Sequence, residues 1–153
     1  MNKLQNVVGY LCKTYPHKGE LSKARLTKLV YLTDWFSALV DEKQVTDIEW
    51  LFNHFGPYVD DVYQCADERL GFTKSVEKTY YGKDKSLIGF KGELDDGGLS
   101  QREIAIMDKV ISKTKKLYFD DFIDYVYSTY PVKSNERYSH LNLVTLAKEF
   151  KSQ

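Results

Sequence analysis

The sequence predicts an α+β fold: a mainly helical single domain with a small antiparallel sheet of two or three strands. Three observations predict it. Apolar residues recur at i, i+3, i+4 and i+7 in segments spread from Leu4 to Phe150, the spacing of helices that bury one stripe. Residues 48–53 and 72–91 instead alternate apolar with polar side chains, the period of a strand. A chain of 153 residues, 42% of them hydrophobic, has apolar surface for one core and is too short to divide into several.

The elements follow in chain order. Leu4, Val7, Val8 and Leu11 place a first helix over about Asn2–Tyr15, broken by Pro16–Gly19. Ser22 is an N-cap for a second helix reaching about Val40. Its apolar arc, from Leu26, Leu29 and Val30 to Phe36 and Leu39, is broad enough to make it the central helix. Ile48, Trp50 and Phe52 alternate with Glu49, Leu51 and Asn53 in a strand. Gly56–Pro57 ends that strand, with the proline opening a third helix whose first turn holds Asp60 and Asp61, where the dipole favours acid. Val59, Val62, Tyr63, Ala66 and Leu70 carry its stripe to a stop at Gly71. Residues 72–91 read as two strands turning at Gly82–Asp84, with Phe72, Val76 and Tyr80 on one face. Ser100 and Glu103 make a capping box, Leu99 and Ile104 a hydrophobic staple, and Met107, Val110 and Ile111 line the helix they open. A further helix runs from Phe119 to Tyr130 and is closed by Pro131, and a last amphipathic segment carries Leu143, Leu146, Ala147 and Phe150.

Charge excludes some functions. Lys and Arg number 22 against 22 Asp and Glu, so the net charge is zero and nothing suggests a nucleic-acid partner held by phosphate contacts. The balance is uneven along the chain: residues 13–28 are basic, 41–68 strongly acidic and 69–91 basic again. Opposed patches of this kind orient a protein partner. No apolar run approaches the ~20 residues of a membrane span, and the first residues lack a signal-peptide layout, so the expected location is cytoplasmic. Cys12 and Cys65 make no disulfide framework and read as buried thiols. The histidines His17, His54 and His140 have no zinc-ligand spacing, so no metal is expected.

Catalytic motifs are missing too. The adjacent pairs Asp60–Asp61 and Asp120–Asp121 diverge on a helix and do not share a site. No phosphate-cradling glycine loop and no Gly-x-Ser-x-Gly turn occurs. His54, at a strand end, is the one residue on which a small enzyme would rest. Aromatic residues make up 14% of the chain, including 12 Tyr, which suits a protein interface better than a stacking groove for nucleic acid.

The run Leu26–Trp35, then Ile48–Trp50, then His54–Val59 with Val62–Tyr63, resembles the Panacea domain, the SocA-like antitoxin family of bacteria and phages. Leu99–Ser100 with Glu103, Asp108 and Val110, and later Phe122 to Pro131, resembles its second half, so the likeness spans about residues 21–131. Residues 1–20 and 132–153 are then terminal helical extensions of one 1–153 domain, with no room for a separate DNA-binding domain. The resemblance implies a non-enzymatic antitoxin without cofactors that binds a cognate toxin directly, or an adaptor that delivers the toxin to a protease. A phage or mobile-element protein blocking a host defence factor is the alternative, and an enzyme using His54 a third. On the acidic stretch and the clustered aromatics, the expected partner-binding residues are His54, Phe55, Tyr58, Asp60, Asp61, Tyr80 and Tyr81.

Overall fold

The computed structural model describes all of residues 1–153. Seven helices surround one core: α1 (Lys3–Thr14), α2 (Lys23–Asp41), α3 (Asp61–Cys65), α4 (Gln101–Thr114), α5 (Phe119–Tyr127), α6 (Tyr130–Lys133) and α7 (Leu143–Lys151). Two short antiparallel sheets accompany them, as the α+β reading requires. One has the order β2–β1–β5, from β1 (Trp50–Asn53), β2 (Gly56–Pro57) and β5 (His140–Leu141). The other is the hairpin of β3 (Phe72–Lys78) and β4 (Asp84–Phe90). No helix is long and apolar enough to cross a membrane.

Helix α2 is the axis of the molecule. Ser22 caps it, accepting from the Arg25 N–H, and α1, α3, α4 and α7 pack around it. Because it is covered on every side, its polar residues Thr27, Lys28, Thr33, Asp34 and Ser37 are buried along with the apolar arc. The capping box at α4 forms as expected, with Ser100 Oγ accepting from the Glu103 N–H at 3.0 Å and Glu103 Oε1 accepting from the Ser100 N–H at 2.8 Å.

The Gly56–Pro57 junction differs from the expectation. These residues form an edge strand, in register with Phe52 and Asn53, and Pro57 does not open a helix. A proline at a sheet edge gives up no ladder hydrogen bond, and the Tyr58 N–H still donates to the Leu51 carbonyl at 3.1 Å. The chain therefore stays extended, and α3 begins only at Asp61 and stops at Cys65. Asp60 stands at its cap without bonding a helix N–H, so of the two acids only Asp61 lies in the first turn. Leu70 belongs to a separate short turn ended by Gly71 at φ 101°, where an added Cβ would lie 2.6 Å from the Gly92 backbone.

Pro131 is a second correction. Helix α5 ends at Tyr127, and Pro131 sits inside the first turn of α6, where a missing N–H costs nothing. Strand β5 was not foreseen: Leu141 pairs with Trp50 and is buried, tying the C-terminal segment into the central sheet. The hairpin buries only its base, through Phe72, Ile88 and Phe90, whereas Val76 and the tip residues Tyr80 and Tyr81 stand in solvent. Cys12 and Cys65 are free, and burial pushes both thiols up to about 12, which disfavours the thiolate.

Candidate functional site

The residues of the α2 motif face the β1–β2 motif and bond to it. Asp34 is fully buried. Its Oδ1 accepts from the Val45 and Thr46 N–H groups at 2.9 Å each, and its Oδ2 accepts from Thr46 Oγ1 at 2.6 Å and Trp50 Nε1 at 2.9 Å. Burial raises the carboxyl to about 6, with those donors opposing the rise. Tyr31 packs edge-on to Trp50 with centroids 5.6 Å apart and shares a hydrogen bond with Thr129 Oγ1 at 2.8 Å. Lys28 is only 1% exposed and lies under Gly56, whose Cβ position would be 3.4 Å from its Cε. No carboxylate pairs with its amine, which sits 5.9 Å from the Tyr58 ring centroid, and burial lowers it to about 8. The shared motif is thus a buried polar frame that fixes the loop leading to Tyr58.

Beside Tyr58 opens a groove of about 810 Å³ between the hairpin and the N-terminal turns of α2 and α5. Tyr58, Tyr81 and Phe119 supply its aromatic walls, and Lys23, Lys83 and Lys85 line it. Arg25 is pinned at its floor, stacked 4.5 Å from the Phe122 centroid, with Nη1 donating to Tyr15 Oη and Nη2 to the Leu117 carbonyl, both at 2.9 Å. Lys23 lies over the Tyr63 ring at 4.6 Å, and the nearby Tyr58 hydroxyl raises its pKa. Tyr58 is itself raised, first by burial. On the outer side Lys74 covers the same Tyr63 ring at 4.1 Å.

The residues expected to bind a partner fall into two neighbourhoods. Tyr58 and Tyr81 line the groove, with Tyr80 stacked edge-on against Tyr81 at 5.3 Å. Asp60 adjoins them, accepting from Tyr58 Oη at 3.2 Å, and Asp61 is exposed just beyond. His54 and Phe55 occupy the β1–β2 turn, stacked at 4.5 Å, with His54 Nδ1 3.1 Å from the Tyr138 hydroxyl. Phe55 and Tyr138 are exposed together there. Sequence reasoning missed Lys23, Lys83, Lys85 and Phe119, whose convergence depends on how the hairpin folds back over α2. The basic stretches 13–28 and 69–91 were the signal available, and the groove is where they meet.

Residues 26–131, more than two thirds of the chain, match the family described as Antitoxin SocA-like, Panacea domain. The chain belongs to this family. The matched span begins inside α2 and ends in α6, so it contains both halves of the Lys28–Asp34–Trp50–Gly56 frame and the whole hairpin. No curated protein and no solved structure matches the chain. The Panacea domain accounts for an antitoxin-like role and for a protein as the partner.

Proposed function

We propose that this Panacea-domain protein neutralises a cognate toxin by direct protein–protein contact, without catalysis. The family membership carries the reading. It is supported by two exposed aromatic neighbourhoods, one at the hairpin tip and one at the β1–β2 turn, set among opposed charges. His54 contacts a tyrosine hydroxyl and a phenylalanine ring, and its side chain hydrogen-bonds no carboxylate. The contact surface comprises His54, Phe55, Tyr58, Asp60, Asp61, Tyr80 and Tyr81, and the protein acts in the cytoplasm.

The experiment is co-expression with the product of the adjacent gene. Growth arrest by that product alone, relieved when this protein is present and recovered as a complex, is the expected result. A non-toxic neighbour, or arrest that persists with this protein soluble, refutes the reading. The toxin's half-life separates two routes: unchanged under simple neutralisation, shortened if the complex hands the toxin to a protease.

A further inference from the structure

The groove has an unfinished sheet edge along one side. In the hairpin, residues 78 and 84 are partners, as are 76 and 86, and 74 and 88. Antiparallel pairs alternate between hydrogen-bonded and non-bonded, and the Ile88 N–H points away from β3, donating to the Leu21 carbonyl at 3.1 Å. The backbone groups of Ser86 and Asp84 therefore point outward as well. At the base of the hairpin this edge is covered, since Ser22 bridges Leu87 in antiparallel fashion. The bridge also sets the Ser86 carbonyl against the Lys23 N–H; beyond it the covering segment turns into α2 and leaves β4, so the edge from the Ser86 N–H to Asp84 faces open groove.

Charge says what fits. Of the acids lining the groove, Glu20 faces Arg25 Nη1 at 3.5 Å and Asp84 is held by Lys78 at 2.6 Å. Lys23, Lys83 and Lys85 form no ion pair; the acids near them are Asp120 on the lining and Asp60, beside Tyr58, whose charge acts on Lys23. From this edge, these cations and the aromatic walls, we infer that the groove receives an extended acidic segment of the protein partner as a strand added to β4. The segment takes over where Lys23 leaves the edge, its backbone bonds to the Ser86 N–H and to Asp84, its acids face the lysines, and its apolar side chains rest on Tyr58 and Tyr81. The inference rests on the antitoxin reading for the partner's identity, but the groove's preference is testable without a toxin.

The probe is a displayed library of random dodecapeptides, panned against the full chain. The expected selection is rich in Asp and Glu, and selected peptides bind at least tenfold more weakly to Lys83→Glu/Lys85→Glu and to Ser86→Pro. Ser86→Pro deletes an outward N–H and leaves the hairpin ladder whole. Val76→Pro does the same on the opposite edge and leaves peptide binding unchanged. If Ser86→Pro does not fold, the charge-reversed variant decides alone. No selection, a selection without acidic bias, or equal binding by the charge-reversed variant overturns the inference. Growth rescue then separates the two readings. A wild-type protein that fails to neutralise the neighbouring product while still selecting acidic peptides overturns only the antitoxin reading. Full rescue by Lys83→Glu/Lys85→Glu shows that the toxin does not occupy the groove and overturns its assignment to the partner.

Discussion

Replacing Lys28 with methionine should stabilise this protein, and the gain should fade with rising pH. The amine is buried under Gly56 with no carboxylate to pair with it, and burial lowers it from 10.5 to about 8. That difference corresponds to about 3 kcal/mol spent at neutral pH on keeping a charge out of water. Methionine has nearly the same length and needs no hydration. It forfeits the attraction to the Tyr58 ring, worth about 0.5–1 kcal/mol, which leaves a net gain of about 2 kcal/mol. For a chain of this size the melting temperature should rise by roughly 4–8 °C at pH 7. The pH dependence carries its own sign. The unfolded amine keeps its proton up to 10.5 and the folded one releases it near 8, so between those values unfolding takes up a proton and wild-type stability rises with pH. The variant lacks that rise. Thermal melts of both proteins at pH 7, 9 and 10 test the reasoning. A Lys28→Met protein that melts no higher than wild type at pH 7, or an advantage that does not narrow as pH rises, would refute it.

Asp34→Ala should cost about 3–5 kcal/mol, because it strands the buried Trp50 Nε1 and the Val45 and Thr46 N–H groups without an acceptor. Urea unfolding followed by tryptophan fluorescence measures it. Asp60→Lys/Asp61→Lys, on exposed positions, should change stability by less than about 0.5 kcal/mol while slowing association with a toxin that presents basic surface beside its acidic segment. Rate constants measured across a salt series show whether these acids steer the encounter, and an unchanged rate at low salt means they do not. Tyr80→Ser/Tyr81→Ser removes side chains 97% and 86% exposed, so the melting temperature should hold while toxin affinity falls at least tenfold by calorimetry.

The helices that could be read from sequence were those whose ends are decided locally. Ser22 and Ser100 bond the N–H three residues on, and that signal needs no tertiary knowledge. Pro57 and Pro131 each mark an end or a beginning, and the sequence alone does not choose between them. Pro57 lies on a sheet edge because β1 is beside it, and Pro131 starts α6 because the chain leaves α5 early. Strand β5 escaped notice because two residues have no period. Only the pairing of Leu141 with Trp50 makes them a strand. The candidate site divides in the same way. Tyr80 and Tyr81 stood out among the many tyrosines and Tyr58 within the family-like run, whereas Lys23, Lys83 and Lys85 looked like ordinary surface charge. Their meeting depends on the hairpin's angle to α2, which no local pattern encodes.

The residues on α2 and β1 that carry the family likeness are unable to touch a partner. Lys28, Tyr31, Asp34 and Trp50 are all buried, and the last three bond or pack against one another. A frame of this kind constrains alternatives strongly, since each unsatisfied member carries a desolvation cost. Its product is the fixed exit of the chain at Gly56–Pro57, where φ is 100° and a Cβ would press within 3.2 Å of Tyr127 Cε1. That exit sets Tyr58 at the groove wall. Selectivity for one partner over another must then reside outside the frame, in side chains that can change without disturbing it. The hairpin tip meets that condition, because Val76, Tyr80 and Tyr81 stand in solvent. A scaffold fixed by a buried frame and free at its hairpin can keep one fold while the side chains of the hairpin change.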